Sequence, residues 1–135
     1  MPQGNLTPAQ HEIMEVVWKR GKAGATVVEI WREIAATRPV IRTTVLNLVD
    51  RLEKRGWLVR RQTGGVYHYA ASMSREKTAV RLAGEFVDDF FGGSATNLVM
   101  SLLGSKRLTP GDIERLRRLL KSPSPQRDDR KRSQP

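Results

Sequence analysis

Apolar residues return at intervals of three and four along most of this chain, and caps and glycines divide the runs into helices. The first run follows Thr7-Pro8-Ala9-Gln10. Thr7 suits the cap, Pro8 the first helical position, and Gln10 completes a capping box. Ala9, Ile13, Val16 and Val17 share a face, and Gly21 and Gly24 end the helix. Lys22 and Ala23, between the two glycines, are expected to form a short edge strand. A second capping box, Thr26-Val27-Val28-Glu29, opens a shorter helix with the stripe Val27, Ile30, Trp31 and Ile34, running to about Ala36. Pro39 blocks its continuation and biases Arg38 toward extended backbone.

The third run is the most informative. Val45, Leu48, Val49 and Leu52 stand at i, i+3, i+4 and i+7, a full core stripe, and predict a helix from Arg42 to Arg55 with Gly56 as its C-terminal cap. Trp57 to Arg61 then reads as a strand, Gly64-Gly65 as a tight turn, and Val66 to Ala70 as a second strand rich in β-formers. Three helices followed by a basic hairpin is the order of a winged helix, and the second and third helices form its helix-turn-helix.

After Ser74 the character changes. Ala79, Leu82, Ala83, Phe86, Val87 and Phe90 make a long helical stripe stopped by Gly92-Gly93. Ser94 can cap a helix bearing Leu98, Val99, Leu102 and Leu103, closed by Gly104. Thr109 caps a last helix with Ile113, Leu116, Leu119 and Leu120 on its apolar face, and Leu108 and Ile113 occupy the staple positions around that cap. The tail from Ser122 to Pro135 has no apolar residue and is expected to be disordered. The expected architecture is mainly α with a small β-hairpin. It comprises a winged helix-turn-helix over residues 1–74, a helical dimerisation region over 75–121 and a basic tail over 122–135.

Composition narrows the chemistry. The 135 residues include no cysteine, which removes disulfides, thiolate metal sites and cysteine nucleophiles. The formal net charge of +10 favours a polyanionic partner. Residues 1–74 hold 11 basic and 6 acidic side chains, +5; residues 75–121 hold 9 and 6, +3; the tail holds 4 and 2, +2. No apolar run is long enough to span a bilayer and no secretory signal opens the chain, so a soluble cytoplasmic protein is expected. His11 and His68 lack the spacing or the glutamate partner of a metal motif, and no catalytic signature is present, so neither a metal, a cofactor nor catalysis is expected.

Opposite the core stripe of the third helix lie Thr43, Asn47, Asp50, Arg51 and Lys54. At about 100° per residue, Thr43, Asn47 and Lys54 point away from the core. Asn can pair with adenine, Thr can meet a thymine methyl, and Arg or Lys can reach guanine or phosphate. The N-terminal half of a recognition helix approaches base edges, which favours Thr43, Thr44 and Asn47. Arg42 is placed for a phosphate as the helix begins, and Arg60 and Arg61 offer phosphate contacts from the wing, although strand alternation sends them to opposite faces. Tyr67 and Tyr69 share a face, and at least one is expected to pack on the helices. Phe86, Phe90, Phe91, Leu98 and Leu102, with Leu116 and Leu120 of the last helix, call for a partner surface, and a two-fold dimer is the commonest solution. Two other functions fit the same residues. One is a winged helix that binds protein. The other is a nonspecific nucleoid or RNA-binding protein, with a steep salt dependence and no preferred sequence.

Taken together, these stretches resemble the penicillinase-repressor family of the BlaI/MecI type. The likeness lies in Leu6-Thr7-Pro8-Ala9-Gln10, Ile13-Met14 and Val17-Trp18, then in Arg42-Thr43-Thr44-Val45, Leu48 and Arg51-Leu52. It continues through Lys54-Arg55-Gly56-Trp57-Leu58, Val66-Tyr67-His68-Tyr69 and Phe91-Gly92-Gly93, over roughly residues 6 to 121. The resemblance implies a homodimeric repressor on a two-fold symmetric double-stranded DNA operator, controlling β-lactam resistance genes, with a membrane-bound sensor metalloprotease in the pathway. Family members are cut between Asn and Phe in the helix after the paired glycines. This chain reads Met100-Ser101-Leu102 there, so no cleavage residue is carried over. Copper-responsive relatives bear C-terminal cysteines, which this chain lacks.

Overall fold

The computed structural model describes residues 2–121. The tail from Ser122 onward, with its expected disorder, lies outside the described residues. The elements are α1 (Pro8–Arg20), a 3₁₀ turn (Gly21–Ala23), α2 (Val27–Ala35), α3 (Arg42–Lys54), β1 (Leu58–Thr63), β2 (Val66–Ala71), α4 (Arg75–Phe90), α5 (Ala95–Gly104) and α6 (Pro110–Lys121). Residues up to Gly84 form one compact unit and those from Glu85 a second. The first turns of α4 belong to the first unit: Thr78 is buried and Leu82 packs against its core.

Both predicted capping boxes form. The Thr7 hydroxyl accepts from the Gln10 amide at 3.2 Å while the Gln10 side chain accepts from the Thr7 amide at 3.0 Å. Thr26 and Glu29 repeat the pattern at 3.1 and 2.8 Å. The Thr26 amide, aided by Arg20, holds the Glu29 carboxyl below the usual carboxylate range. A lowered folded pKa means that this cap stabilises above the unfolded carboxylate value and fades as pH falls through the folded one.

The core of the first unit is one cluster. Ile13, Met14 and Val17 of α1, Ile30 and Ile34 of α2, Val45, Val49 and Leu52 of α3, Trp57, Leu58 and Tyr69 are all buried. Each large apolar side chain buried this way contributes at most about 1.5–3 kcal/mol. The three indole N–H groups donate to backbone carbonyls of other segments: Trp18 to Met73 at 2.9 Å, Trp31 to Val40 at 2.8 Å and Trp57 to Gln3 at 3.0 Å. Arg55 ties down the N-terminal segment, donating to the Gln3 carbonyl at 3.0 Å, the Gln10 side chain at 3.1 Å and the Asn5 carbonyl.

β1 and β2 are antiparallel, with Leu58 opposite Ala71 and Thr63 opposite Val66. Gly64 and Gly65 have φ of 58° and 79°, the two left-handed residues a two-residue hairpin turn requires. The expected edge strand at Lys22-Ala23 is instead the 3₁₀ turn. The pairing occurs two residues later, where the Ala25 amide donates to Tyr69 at 2.9 Å and the Tyr69 amide returns to Ala25 at 2.8 Å. Gly24 makes this possible. Its φ is 74°, and a Cβ there would stand 2.6 Å from the Tyr69 carbonyl oxygen, which is backbone and cannot swing away. Gly24→Ala is therefore expected to lower the unfolding free energy by roughly 2–3 kcal/mol in a urea titration. A change within about 0.5 kcal/mol would show that the backbone tolerates the crowding.

Candidate nucleic-acid interface

α3 divides cleanly along its length. Val45, Val49 and Leu52 are buried and Leu48 packs beside them, whereas Arg42, Thr43, Thr44, Leu46, Asn47, Asp50, Arg51 and Lys54 are exposed. The predicted base-reading residues Thr43, Thr44 and Asn47 thus share the solvent side of one helix with Arg42, Arg51 and Lys54. The Lys54 ammonium sits 3.0 Å from Asp50, an exposed i,i+4 pair worth only about 0.3–0.5 kcal/mol and easily exchanged for another anion. Arg51 has no ion pair among the described residues. Asp50 adds an acceptor that can take a hydrogen bond from cytosine.

The start of α3 is unusual. A serine or threonine hydroxyl accepts from the first turn of every other described α-helix: Thr7, Thr26, Ser74, Ser94 and Thr109. α3 has Ile41 at that position and no side-chain cap. Its first-turn N–H groups therefore face solvent at the positive end of the helix dipole, a setting suited to a phosphate oxygen. Trp31 organises the turn that leads there. Its indole holds the Val40 carbonyl, and its ring lies 4.9 Å from the Arg42 guanidinium carbon, so one α2 side chain fixes both the turn and the first cation of α3. Periodicity places Trp31 on the core stripe but does not disclose this second role.

The wing separates its two arginines. Arg60 stands opposite Tyr69 and Arg61 opposite His68, so they project to different faces of the hairpin. Arg60 faces α3. Its Nε lies 3.1 Å from a Glu53 carboxylate oxygen and its guanidinium carbon 4.4 Å from the Tyr67 ring centroid. The Glu53 charge holds Arg60 above its ordinary pKa. Tyr69 on the same face is buried in the core, while Tyr67 stays exposed as the stacking partner of Arg60. Arg61 turns to the other face and donates to the Lys22 carbonyl at 2.6 Å. It lines a groove of about 760 Å³ with Trp18, Lys22, Val59 and Met73.

In the second unit the aromatic group is compact. Phe86 lies 5.0 Å from Phe90 and 5.7 Å from Phe91, ring centre to ring centre. Phe91, Leu98 and Leu102 are half-buried, but Phe90 is 71% and Leu120 80% exposed, with Phe86 and Leu116 also open. Val99, Met100, Leu103 and Leu119 add exposed apolar surface. Of these only Met100 lies off the stripes seen in sequence. Among the described residues, α5 and α6 thus keep exposed apolar faces.

Three helices, a short hairpin and a solvent-facing third helix define a winged helix-turn-helix protein. The sequence profile of the penicillinase repressor family matches residues 6–122, so the chain belongs to that family, which is one of regulatory repressors rather than enzymes. It is 26% identical over 118 residues to the penicillinase repressor of Staphylococcus aureus, covering 87% of this chain and 92% of the relative. It is 24% identical over 115 residues to the methicillin resistance regulatory protein MecI of Mammaliicoccus sciuri, covering 85% and 92%. The penicillinase repressor of Bacillus licheniformis is also 24% identical, with 85% and 88% covered. No helix among the described residues is long and apolar enough to cross a membrane.

The missing cap has a measurable consequence. Ile41→Ser is expected to stabilise the free protein by about 1 kcal/mol in denaturant unfolding, because a hydroxyl would satisfy an amide that water now serves. The same substitution is expected to weaken duplex binding, since the new cap occupies that amide. A destabilised variant would show that Ile41 packs in a way its exposure does not suggest.

Proposed function

We propose that this protein is a homodimeric, sequence-specific repressor of transcription that lays α3 in the major groove of an operator with two-fold symmetry. The observation that carries the reading is the division of α3. Its inner stripe is locked in the core, while Thr43, Thr44, Asn47 and Arg51 stand free on the outside with an uncapped helix start beside them. Membership of a repressor family supports the same conclusion.

In this reading Thr43, Thr44 and Asn47 meet base edges. Arg42 and the first-turn amides meet phosphate, and Arg51 and Lys54 reach phosphate or guanine. Arg60 joins them, because its ion pair with Glu53 is partly exposed and easily exchanged for a phosphate. Arg61 is left out of the proposed contacts, since it turns to the opposite face of the hairpin. The helices over 75–121 carry the two-fold interface through Phe86, Phe90, Phe91, Leu98, Leu102, Leu116 and Leu120. That interface would set two α3 copies on half-sites about 34–36 Å apart or a multiple of it. Occupancy of a promoter then excludes polymerase. β-Lactam resistance genes are the proposed targets, on the names of the relatives. Release by cleavage is not part of the proposal, because Met100, Ser101 and Leu102 do not match the pair cut in family members.

Selection from random duplexes tests this directly. The wild type is expected to enrich a motif with two related halves. Asn47→Ala is expected to lose about 1–3 kcal/mol of discrimination at one base position in each half. An unchanged motif removes Asn47 from base reading, and no motif at all removes the repressor reading. The wing gives a separate check. Arg60→Ala should weaken binding uniformly across sequences and lower the salt slope by about one, whereas Arg61→Ala should leave the slope in place. Equal effects would place both arginines on DNA. In sedimentation the chain should run at twice its 15.3 kDa mass, and Phe90→Asp with Leu120→Asp should shift it toward monomer. A wild-type monomer at micromolar concentration would contradict the interface.

A further inference from the structure

The polar side of α3 is interrupted by an exposed leucine. Leu46 is 48% exposed and follows Arg42 by one helical turn, with Thr43 three residues before it and Asp50 four after it. Three of its four neighbours on the helix, Arg42, Thr43 and Asp50, are therefore exposed residues of the outer side, and only Val49 belongs to the core. Close by, Ile41 is 69% exposed at the cap position, where a hydroxyl or carboxylate would have satisfied a free amide. Two apolar side chains thus stand in water on the N-terminal part of the same helix, each where a polar residue would serve the isolated protein better. Such local departures concentrate where a surface is built for a partner. The major groove offers one apolar feature on its base edges, the C5 methyl of thymine.

We propose that Leu46 is a specificity-determining residue that reads a thymine by packing on its C5 methyl group. The inference rests on the repressor reading above and adds to it a base and an atom. Leu46 has no hydrogen-bonding group, so it cannot recognise adenine, guanine or cytosine by their donor and acceptor patterns. It can distinguish thymine from those bases, and also from uracil, by the presence of a methyl. Thr43 and Asn47 flank it with hydrogen-bonding groups, so one turn of α3 combines polar and apolar readout. Ile41, at the first position of the same surface, packs against the sugar-phosphate edge.

The test uses the full-length protein and the duplex it selects. Each thymine of one half-site is replaced in turn by deoxyuridine, which removes the methyl and keeps the Watson–Crick pair. Wild-type protein is expected to lose about fourfold in affinity at one particular thymine, the value of one methyl group withdrawn from water. Leu46→Ala should bind the thymine and uracil duplexes equally at that position, while keeping the preference that Asn47 confers. Leu46→Met should retain most of the discrimination and guards against any loss of folding in the alanine variant, because it keeps a flexible apolar side chain of similar size. If wild type prefers its operator over scrambled DNA yet is indifferent to every thymine methyl, or if Leu46→Ala keeps the discrimination, the assignment of Leu46 is overturned and the repressor reading stands. If operator and scrambled duplex bind equally well, both fail together.

Discussion

The face of α3 that we propose meets DNA depends on how three side chains are buried. Val45, Val49 and Leu52 anchor α3 to the core formed by α1, α2, Trp57 and Leu58, and no other rotation of the helix would keep all three out of water. Because residues three and four apart lie on one face, fixing that stripe also fixes which residues point outward. Thr43, Asn47, Asp50 and Lys54 are exposed for the same reason that Val45 and Val49 are not. On the proposed reading, stability and recognition are two sides of one helical wheel, so a core substitution that tilts α3 would change binding without touching a proposed contact.

Other features extend that orientation beyond the helix. Trp31 closes the turn from α2 onto the Val40 carbonyl and holds Arg42 against its ring. Glu53, on the flank of α3, draws Arg60 across from β1, so the wing is coupled to the helix through an ion pair and a stacked tyrosine. The ion pair is partly exposed and adds little to stability. Its effect is geometric, giving a long flexible side chain a defined direction. On the far side of the hairpin Arg61 holds the chain at Lys22, next to the Ala25–Tyr69 pairing that joins the wing to the end of α1.

Much of this was legible in the sequence, and the parts that were not share a cause. The capping threonines Thr7, Thr26 and Thr109, the stripe of α3 and the paired glycines of the wing are local signals, each decided within a few residues. The pairing falls at Ala25, two residues beyond the expected Lys22-Ala23, because a φ of 74° at Gly24 and the approach of Tyr69 depend on chain 45 residues away. The partners of Arg60 and Arg61 depend on which face of the hairpin meets α3. Strand alternation indicates that the two arginines differ, but not which of them turns inward. The exposure of Leu46 and Ile41 is less legible, because the polar pattern around them points to hydrogen-bonding groups. An apolar residue outside the stripe was the available signal. The uncovered apolar faces of α5 and α6, by contrast, follow directly from their stripes, since three short helices offer more such surface than they can hide among themselves.

The most direct measurement of the central claim is dimethyl sulfate protection on the selected duplex, because the reagent methylates guanine N7 in the major groove and adenine N3 in the minor groove. The account predicts that the protein shields guanine N7 in two clusters, one helical turn or a whole number of turns apart, with adenine N3 left reactive between them. Protection confined to adenine N3, or a single cluster of shielded guanines, would contradict the placement of two α3 helices in successive major grooves.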